Sequence, residues 1–322
     1  MIYSRILGTG SYLPERILTN ADLEKTLDTS DAWIVERTGI RSRHILADHE
    51  SATTMAYDAS IRALEAAGRS FSDIDLIIAA TSTPENVFPG VSCLLQKRFD
   101  IGGCPAFDLN ASACAGFVYG LGIADQFIRN GSVKTALVLG TEVMSRVMDW
   151  TDRTTCILFG DGAGAVVLGA DSKPGVISTH LHADGRFADV LYLETSMARR
   201  EGDAPKKPGL QMSGNSLFRQ AVTILGDLFD ETLSAGGVDR SAIDWLIPHQ
   251  ANVRIIQAMA RKLQLPLERV VMTLETQGNT SSASIPLALD TAIRDGRIQR
   301  GETLLLEGFG GGLAWGSALI QY

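Results

Sequence analysis

The chain lacks an apolar run long enough to cross a bilayer, which excludes a helical membrane span. Its start, Met1-Ile2-Tyr3-Ser4-Arg5-Ile6-Leu7-Gly8, runs straight into a strand-like pattern and has no signal-peptide layout. Cysteine is scarce: Cys93, Cys104, Cys114 and Cys156 form no CxxC pair and no framework spacing. That argues against zinc and against a disulfide scaffold, and fits a reducing compartment. Positive charge is in deficit, with 29 Lys and Arg against 37 Asp and Glu, a formal charge of −8. Nucleic acid is therefore excluded as a main partner. These absences predict a soluble, cytoplasmic protein with no metal and no membrane or nucleic-acid partner. What is present is apolar: 45% of the 322 residues are hydrophobic, enough for one large domain or two ordinary ones.

Short apolar strands alternate with longer helical patterns. Ile74 to Ala80 and Thr135 to Gly140 read as buried strands, Thr53 to Ala67 as a helix stopped by Gly68. Asn20 is the expected N-cap of a helix to Leu27, and Ser30 lies in the cap of the next. The alternation predicts an α/β protein with parallel strands. An internal repeat sharpens this. Ser72–Ile78 resembles Ser241–Ile247, and Thr135–Gly140 resembles Thr303–Gly308, at nearly one offset. Phe159-Gly160-Asp161-Gly162 and Phe309-Gly310-Gly311-Gly312 each open a glycine-rich final strand. Two duplicated halves follow, 1–172 and 173–322. The polar stretch 183–213 reads as a long loop or cap.

Asn110 to Phe117 is the stretch around which the rest is arranged. Ala106–Leu109 reads as the end of a buried strand, and Cys114 to Arg129 is apolar on nearly every face, with a stop at Asn130-Gly131. Such a helix belongs in the middle of a protein, and Gly116 and Gly120 would let another backbone approach. Cys114 stands where that helix begins, and the free N–H groups there favour a thiolate. An inert core cysteine fits the same stretch. His249 follows the strand Trp245–Ile247, at a strand end where open α/β sheets place ligands; a structural histidine also fits. Asn279 lies in a polar loop before an apolar helix and reads as an N-cap or Asx-turn. By the repeat offset its loop is the counterpart of the Cys114 turn, facing it. The glycines after Phe309 supply either a tight turn or backbone donors for an oxyanion hole. The run Gly160 to Gly164 leads into a strand and not a helix, against phosphate binding.

Taken together the motifs resemble the β-ketoacyl-acyl-carrier-protein synthase III family of the thiolase fold. The supporting stretches are Thr29–Ile40, Ala113–Phe117, Phe159–Ala165, His249–Asn252, Gly278–Ala283 and Phe309–Gly312. The resemblance implies a five-layer αβαβα sandwich, a homodimer and no cofactor. It also implies a decarboxylative condensation of an acyl-coenzyme A, usually acetyl, with malonyl-acyl carrier protein. In that reading Cys114 is the nucleophile, His249 and Asn279 complete the triad, and the N–H groups of Cys114 and Gly311 form the oxyanion hole. Trp33 and Arg153 would sandwich adenine, with Thr29, Arg37 and Asn252 nearby, and Phe88 would reach the partner's acyl pocket. On the amphipathic stretch Asn252 to Gln264, Arg254, Arg261 and Lys262 form a basic patch suited to an acidic carrier protein. Arg37 and Arg219 join it by resemblance.

Rival readings differ in their residues. A degradative thiolase needs a second cysteine in the C-terminal half, and none follows Cys156. Elongating synthases use two histidines. A papain-like hydrolase carries its cysteine near the mature N-terminus, and a nucleotide-binding module would rest on the glycine loops alone. A polyketide- or quinolone-forming relative shares Cys-His-Asn and stays open. The acyl starter depends on side chains near Phe88, Phe159 and the 190–215 loop.

Overall fold

A computed structural model describes residues 2–110, 113–194 and 207–322. Two sheets carry the fold. The first is built from β1 (Tyr3–Tyr12), β2 (Leu76–Ala80), β3 (Ala106–Leu109), β4 (Thr135–Val143) and β5 (Asp161–Asp171), in the order β1-β5-β4-β2-β3. The second is built from β6 (Val176–Ala183), β7 (Trp245–Pro248), β8 (Thr303–Gly310) and β9 (Ala314–Gln321), in the order β6-β9-β8-β7. A parallel bridge from Leu246 to Val270 extends that sheet where β3 extends the first. The two sheets thus repeat one strand order.

The expected parallel strands are present, β2 beside β3 and β4, and β7 beside β8, but each sheet also carries antiparallel strands. Strand β5 runs antiparallel to both β1 and β4, and β9 runs antiparallel to both β6 and β8. Apolar periodicity reports burial and carries no information on strand direction. Strand β3 is only half-buried, because it forms the sheet edge.

Helices α1 (Asp31–Thr38), α2 (Ala52–Ala67), α3 (Val91–Phe99), α4 (Gly116–Arg129), α5 (Gly214–Gly236), α6 (Val253–Leu263) and α7 (Ser284–Arg294) complete the frame. Helices α4 and α7 lie between the sheets and touch strands of both. Helices α2 and α3 cover the outside of the first sheet; α5 covers the second, with α6 packed beside it in the same apolar cluster. The result is five layers, α-β-α-β-α. The central position explains why α4 is apolar all round. A Cβ on Gly120 would meet Val138 and Ile78 of the first sheet, and one on Gly122 would meet Thr179 and Leu181 of the second. The close neighbours of Gly120 are therefore side chains and not another backbone.

Several boundaries move. Ser30 does cap α1, its side chain accepting from Trp33 N. The preceding helix runs only from Asn20 to Leu23 and is capped by Thr19. The Asn20 amide is needed elsewhere: it donates to Asp31 and the Ile40 carbonyl and accepts from buried Arg43. The expected loop at 183–213 contains a short helical stretch, Gly185–Val190, and a strand pair, Leu191–Tyr192 with Gln211–Met212. Its segment 195–206, and Ala111 and Ser112 beside the cysteine turn, lie outside the described residues.

Candidate active site

Cys114 sits in a single 3-10 turn, Ala113–Ala115, directly before α4. Ala113 takes a φ of +38°, which turns the chain sharply out of β3 and aims the next side chain inward. The second repeat builds the same corner: Ser281, with a φ of +50°, opens the turn Ser281–Ala283 before α7. The two turns touch. Glycines permit the close approach of a third element. A Cβ on Gly310 would lie 2.7 Å from Cys114 N, and one on Gly308 would lie 2.9 Å from the Ala115 Cα. The end of β8 is thereby pressed against the Cys114 turn.

Cys114, His249 and Asn279 line one cavity of ≈ 620 Å³. Their sequence separation is large, so only the fold brings them together. His249 follows β7, its N–H donating to the Glu307 carbonyl. Its Nδ1 lies 2.6 Å from Ser284 Oγ at the start of α7. Ser284 Oγ already accepts from Gln250 N at 3.3 Å, so its own hydrogen is free to go to Nδ1. This assigns the proton of neutral imidazole to Nε2. Burial pushes the His249 pKa down to about 3, so the ring is neutral at physiological pH.

Asn279 is braced through its backbone, donating to the Leu158 carbonyl and accepting from Gly160 N. Its Oδ1 accepts from Ser281 N at 2.8 Å. The expected Asx-turn is therefore present, and because Oδ1 is occupied, the NH2 group is the end left for the cavity. Buried Arg43 holds this region from behind, donating to the Ile157 and Leu18 carbonyls.

The charge state of the cysteine differs from the expectation. Burial pushes its thiol up to about 12, reinforced by the nearby Glu142 and opposed by the Ser281 hydrogen bond. That shift favours the neutral thiol, against the thiolate that the helix end was expected to favour.

A second cavity of ≈ 270 Å³ shares Cys114 with the first. It is lined by Met144, Val147, Phe159, Leu191 and Leu210, with Gly311 at its wall. Gly311 and Cys114 thus face one small chamber. The larger cavity opens past Trp33, Arg37, Asn252 and Arg254. The guanidinium carbons of Arg37 and Arg153 lie 4.4 and 5.2 Å from the centre of the Trp33 ring. Arg153 also holds the Asp28 carboxylate at 3.3 Å. Arg153 and Thr29 do not line the cavity themselves; the Thr29 hydroxyl is buried with no hydrogen-bond partner among the described residues. Asn252 caps α6, accepting from Arg254 N and donating to the Arg37 carbonyl.

Arg254, Arg261 and Lys262 lie exposed on α6, and Arg219 on α5 beside it. Lys262 is engaged by Asp227 and the Thr223 carbonyl, and Arg254 is 3.8 Å from Glu36. Phe88 is 85% exposed and Val87 71%. Phe88 lines neither cavity of its own chain. Among the described residues no cluster of His, Cys, Asp and Glu could hold a metal ion, and no helix is long and apolar enough to cross a membrane.

Sequence reasoning missed Ser281, Ser284 and Glu142, and the Leu217-Phe218 wall of the larger cavity. The available signal was Glu142 itself, the one charged residue in the buried strand β4.

Two family models match, 3-oxoacyl-[acyl-carrier-protein] synthase III over residues 107–185 and its C-terminal region over 233–322. A β-ketoacyl-[acyl-carrier-protein] synthase III of Thioalkalivibrio sulfidiphilus is 57% identical over the whole of both chains. The chain belongs to the β-ketoacyl-[acyl-carrier-protein] synthase III family. A Xanthomonas campestris relative of the same name is 58% identical over 100% of this chain and 99% of its own. The crystal structure of 3-oxoacyl-[acyl-carrier-protein] synthase III from Aquifex aeolicus superposes with a TM-score of 0.93. It is 44% identical, over 99% of this chain and 100% of that one. The five-layer sandwich is accordingly the thiolase fold, and the protein is an acyltransferase of fatty acid biosynthesis.

Proposed function

We propose that this chain loads an acyl group, acetyl in the simplest case, from an acyl-coenzyme A onto Cys114 and condenses it with malonyl-acyl carrier protein. The observation that carries this reading is the convergence of Cys114, His249 and Asn279 on one cavity, with the cysteine shared by a second, smaller one. The larger cavity suits a long pantetheine arm, and the smaller one suits the acyl chain.

Each residue has a chemical task. The Cys114 sulfur attacks the thioester carbonyl, and a thiolate is also a good leaving group when the acyl chain is passed on. The N–H groups of Cys114 and Gly311 hold the oxygen on which charge develops. Once coenzyme A has left, malonyl-acyl carrier protein enters the same cavity. Loss of CO2 leaves negative charge on the malonyl thioester oxygen. His249 Nε2–H and the Asn279 amide donate to that oxygen, and each such donor is worth roughly 3–4 kcal/mol of barrier. The carbanion then attacks the acyl carbonyl, and the 3-oxoacyl product departs on the carrier.

Trp33, Arg37, Arg153, Thr29 and Asn252 are assigned to coenzyme A. Adenine would enter beside Trp33 as Arg153 swings off the ring. Arg219, Arg254, Arg261 and Lys262, with Arg37 at the cavity mouth, are assigned to the carrier protein. Exposed Phe88 supports a homodimer in which it packs into the partner. The two duplicated halves, 1–172 and 173–322, supply the nucleophile and the donors respectively. We place the enzyme in the cytoplasm and assign it no cofactor. The full-length similarity to fatty-acid synthases favours that pathway over the polyketide or quinolone alternative.

The test is mass spectrometry after mixing with acetyl-coenzyme A. An acetyl adduct on Cys114, absent in Cys114→Ala and discharged by malonyl-acyl carrier protein, is the expected result. An unmodified Cys114 overturns the reading.

A further inference from the structure

Ser281 occupies a backbone conformation, φ +50°, that glycine would adopt at lower cost. Cys114 Sγ lies 3.5 Å from Ser281 Oγ, and Ser281 Oγ donates to Glu142 Oε1 at 3.1 Å. With its hydrogen committed to Glu142, the serine oxygen faces the thiol as an acceptor. Glu142 is fully buried in β4. It also accepts from Thr83 Oγ1 at 2.7 Å and Ser82 N at 3.1 Å, and Ser282 Oγ, 2.9 Å away, shares its hydrogen between Glu142 and the Ala80 carbonyl. All of these partners are neutral donors, and no ion pair to Glu142 occurs among the described residues. The turn has no slack, since a Cβ on Gly140 of the same strand would lie 2.3 Å from the Ser282 carbonyl oxygen.

We propose that Ser281 and Glu142 are the route by which Cys114 loses its proton on acylation and regains it on condensation. The proposal rests on Cys114 being the acylated residue. As the sulfur–carbon bond forms, the S–H bond breaks and its proton passes to Ser281 Oγ. The serine's own proton passes to the Glu142 carboxylate. Coenzyme A leaves as a thiolate and takes a proton from water at the open cavity mouth. In the second half-reaction the carbon–carbon bond forms, the sulfur–carbon bond breaks, and the stored proton returns through Ser281 to sulfur.

Two features of the site favour this route. The negative charge moves from Glu142 to sulfur and out on the leaving group, so two anions never share the dry site. Burial also raises the proton affinity of Glu142, which suits an acceptor for a thiol.

The relay makes acylation a proton-consuming step. Rapid mixing of the intact enzyme with acetyl-coenzyme A in weakly buffered indicator dye should show one proton taken from the medium per acetyl group bound. Ser281→Gly removes the hydroxyl while suiting the backbone. It should melt at or above the wild-type temperature and acylate about a hundredfold more slowly. Glu142→Gln should show no proton uptake. Wild-type acylation without uptake, or Ser281→Gly acylating at the wild-type rate, overturns the relay. The wild-type measurement decides even if a variant fails to fold. An adduct at Cys114 without uptake sinks the relay alone, whereas no adduct sinks the functional reading.

Discussion

Replacing Gly310 with alanine tests whether β8 positions the Cys114 sulfur. The added Cβ would lie 2.7 Å from Cys114 N, 3.0 Å from its Cβ and 3.2 Å from its Cα. The first contact is about 0.7 Å inside ordinary van der Waals separation, and it falls on backbone, which yields less readily than a side-chain tip. Gly310 is also the last residue of β8, paired to Ala314, so retreat of that strand breaks its ladder. The turn holding Cys114 must then shift by several tenths of an ångström. A displacement approaching 1 Å at a reacting centre costs about a hundredfold in rate. That corresponds to about 3 kcal/mol of barrier. Overpacking should cost stability as well, by about 1–3 kcal/mol. The assay is the rate of acetyl adduct formation at Cys114, with a thermal melt on the same sample. Gly102→Ala is the control, because its Cβ would meet nothing within 4 Å. A Gly310→Ala variant that acylates at the wild-type rate would refute the claim that this contact sets the sulfur's position.

Ser284→Ala should let the His249 proton move to Nδ1, slowing condensation by about a hundredfold or more while sparing Cys114 acylation; nitrogen NMR of labelled imidazole reads the tautomer directly. Arg254→Glu should raise the Michaelis constant for the carrier substrate and leave acylation by acetyl-coenzyme A in place, and equal loss in both would remove the basic patch from the docking site. The His249 pKa lies below its unfolded value, so the unfolded chain binds the extra proton. Stability should therefore fall as pH drops from about 6.5 toward 3, by up to about 1.4 kcal/mol per unit, and His249→Asn should flatten that part of the curve. Glu307 is the opposite case: burial raises it to about 8 with neither oxygen bonded among the described residues. Its contribution is lost as pH rises from about 4.5 to 8, so Glu307→Met should gain melting temperature over that range, and a pH-independent difference would refute the assignment.

The parts of the site that were legible in the sequence are those with a local signature. An all-round apolar segment reads as α4 because both of its flanks are sheets, and that requirement is written into every turn of the helix. His249 was visible because a short apolar strand ends just before it. The repeat was legible because its strands are spaced alike in both halves. Ser284, Ser281 and Glu142 had no such signature. Ser281 and Glu142 stand 139 residues apart, and neither has chemical meaning without the other. Asn20 shows the same limit: local rules make it a cap, but buried Arg43 needs its amide, and Thr19 caps in its place. The thiolate expected at Cys114 is opposed for a related reason. A helix end is visible in sequence, whereas the depth of burial that works against it is a property of the whole sandwich.

The repeated corner also bears on why the groups facing the cavity are unlike one another. Both halves build the same corner, a residue of positive φ followed by a 3-10 turn and a central helix, at Ala113 in one and Ser281 in the other. Because the corners touch, each half's turn is the floor of the other's. A symmetric pair of cysteines there would place two thiols in competition for one carbonyl. The second corner instead carries hydroxyls and an amide, Asn279 oriented by Ser281 N and His249 oriented by Ser284. On the proposed reading, one copy of the turn holds the covalent bond while the other manages protons and developing charge.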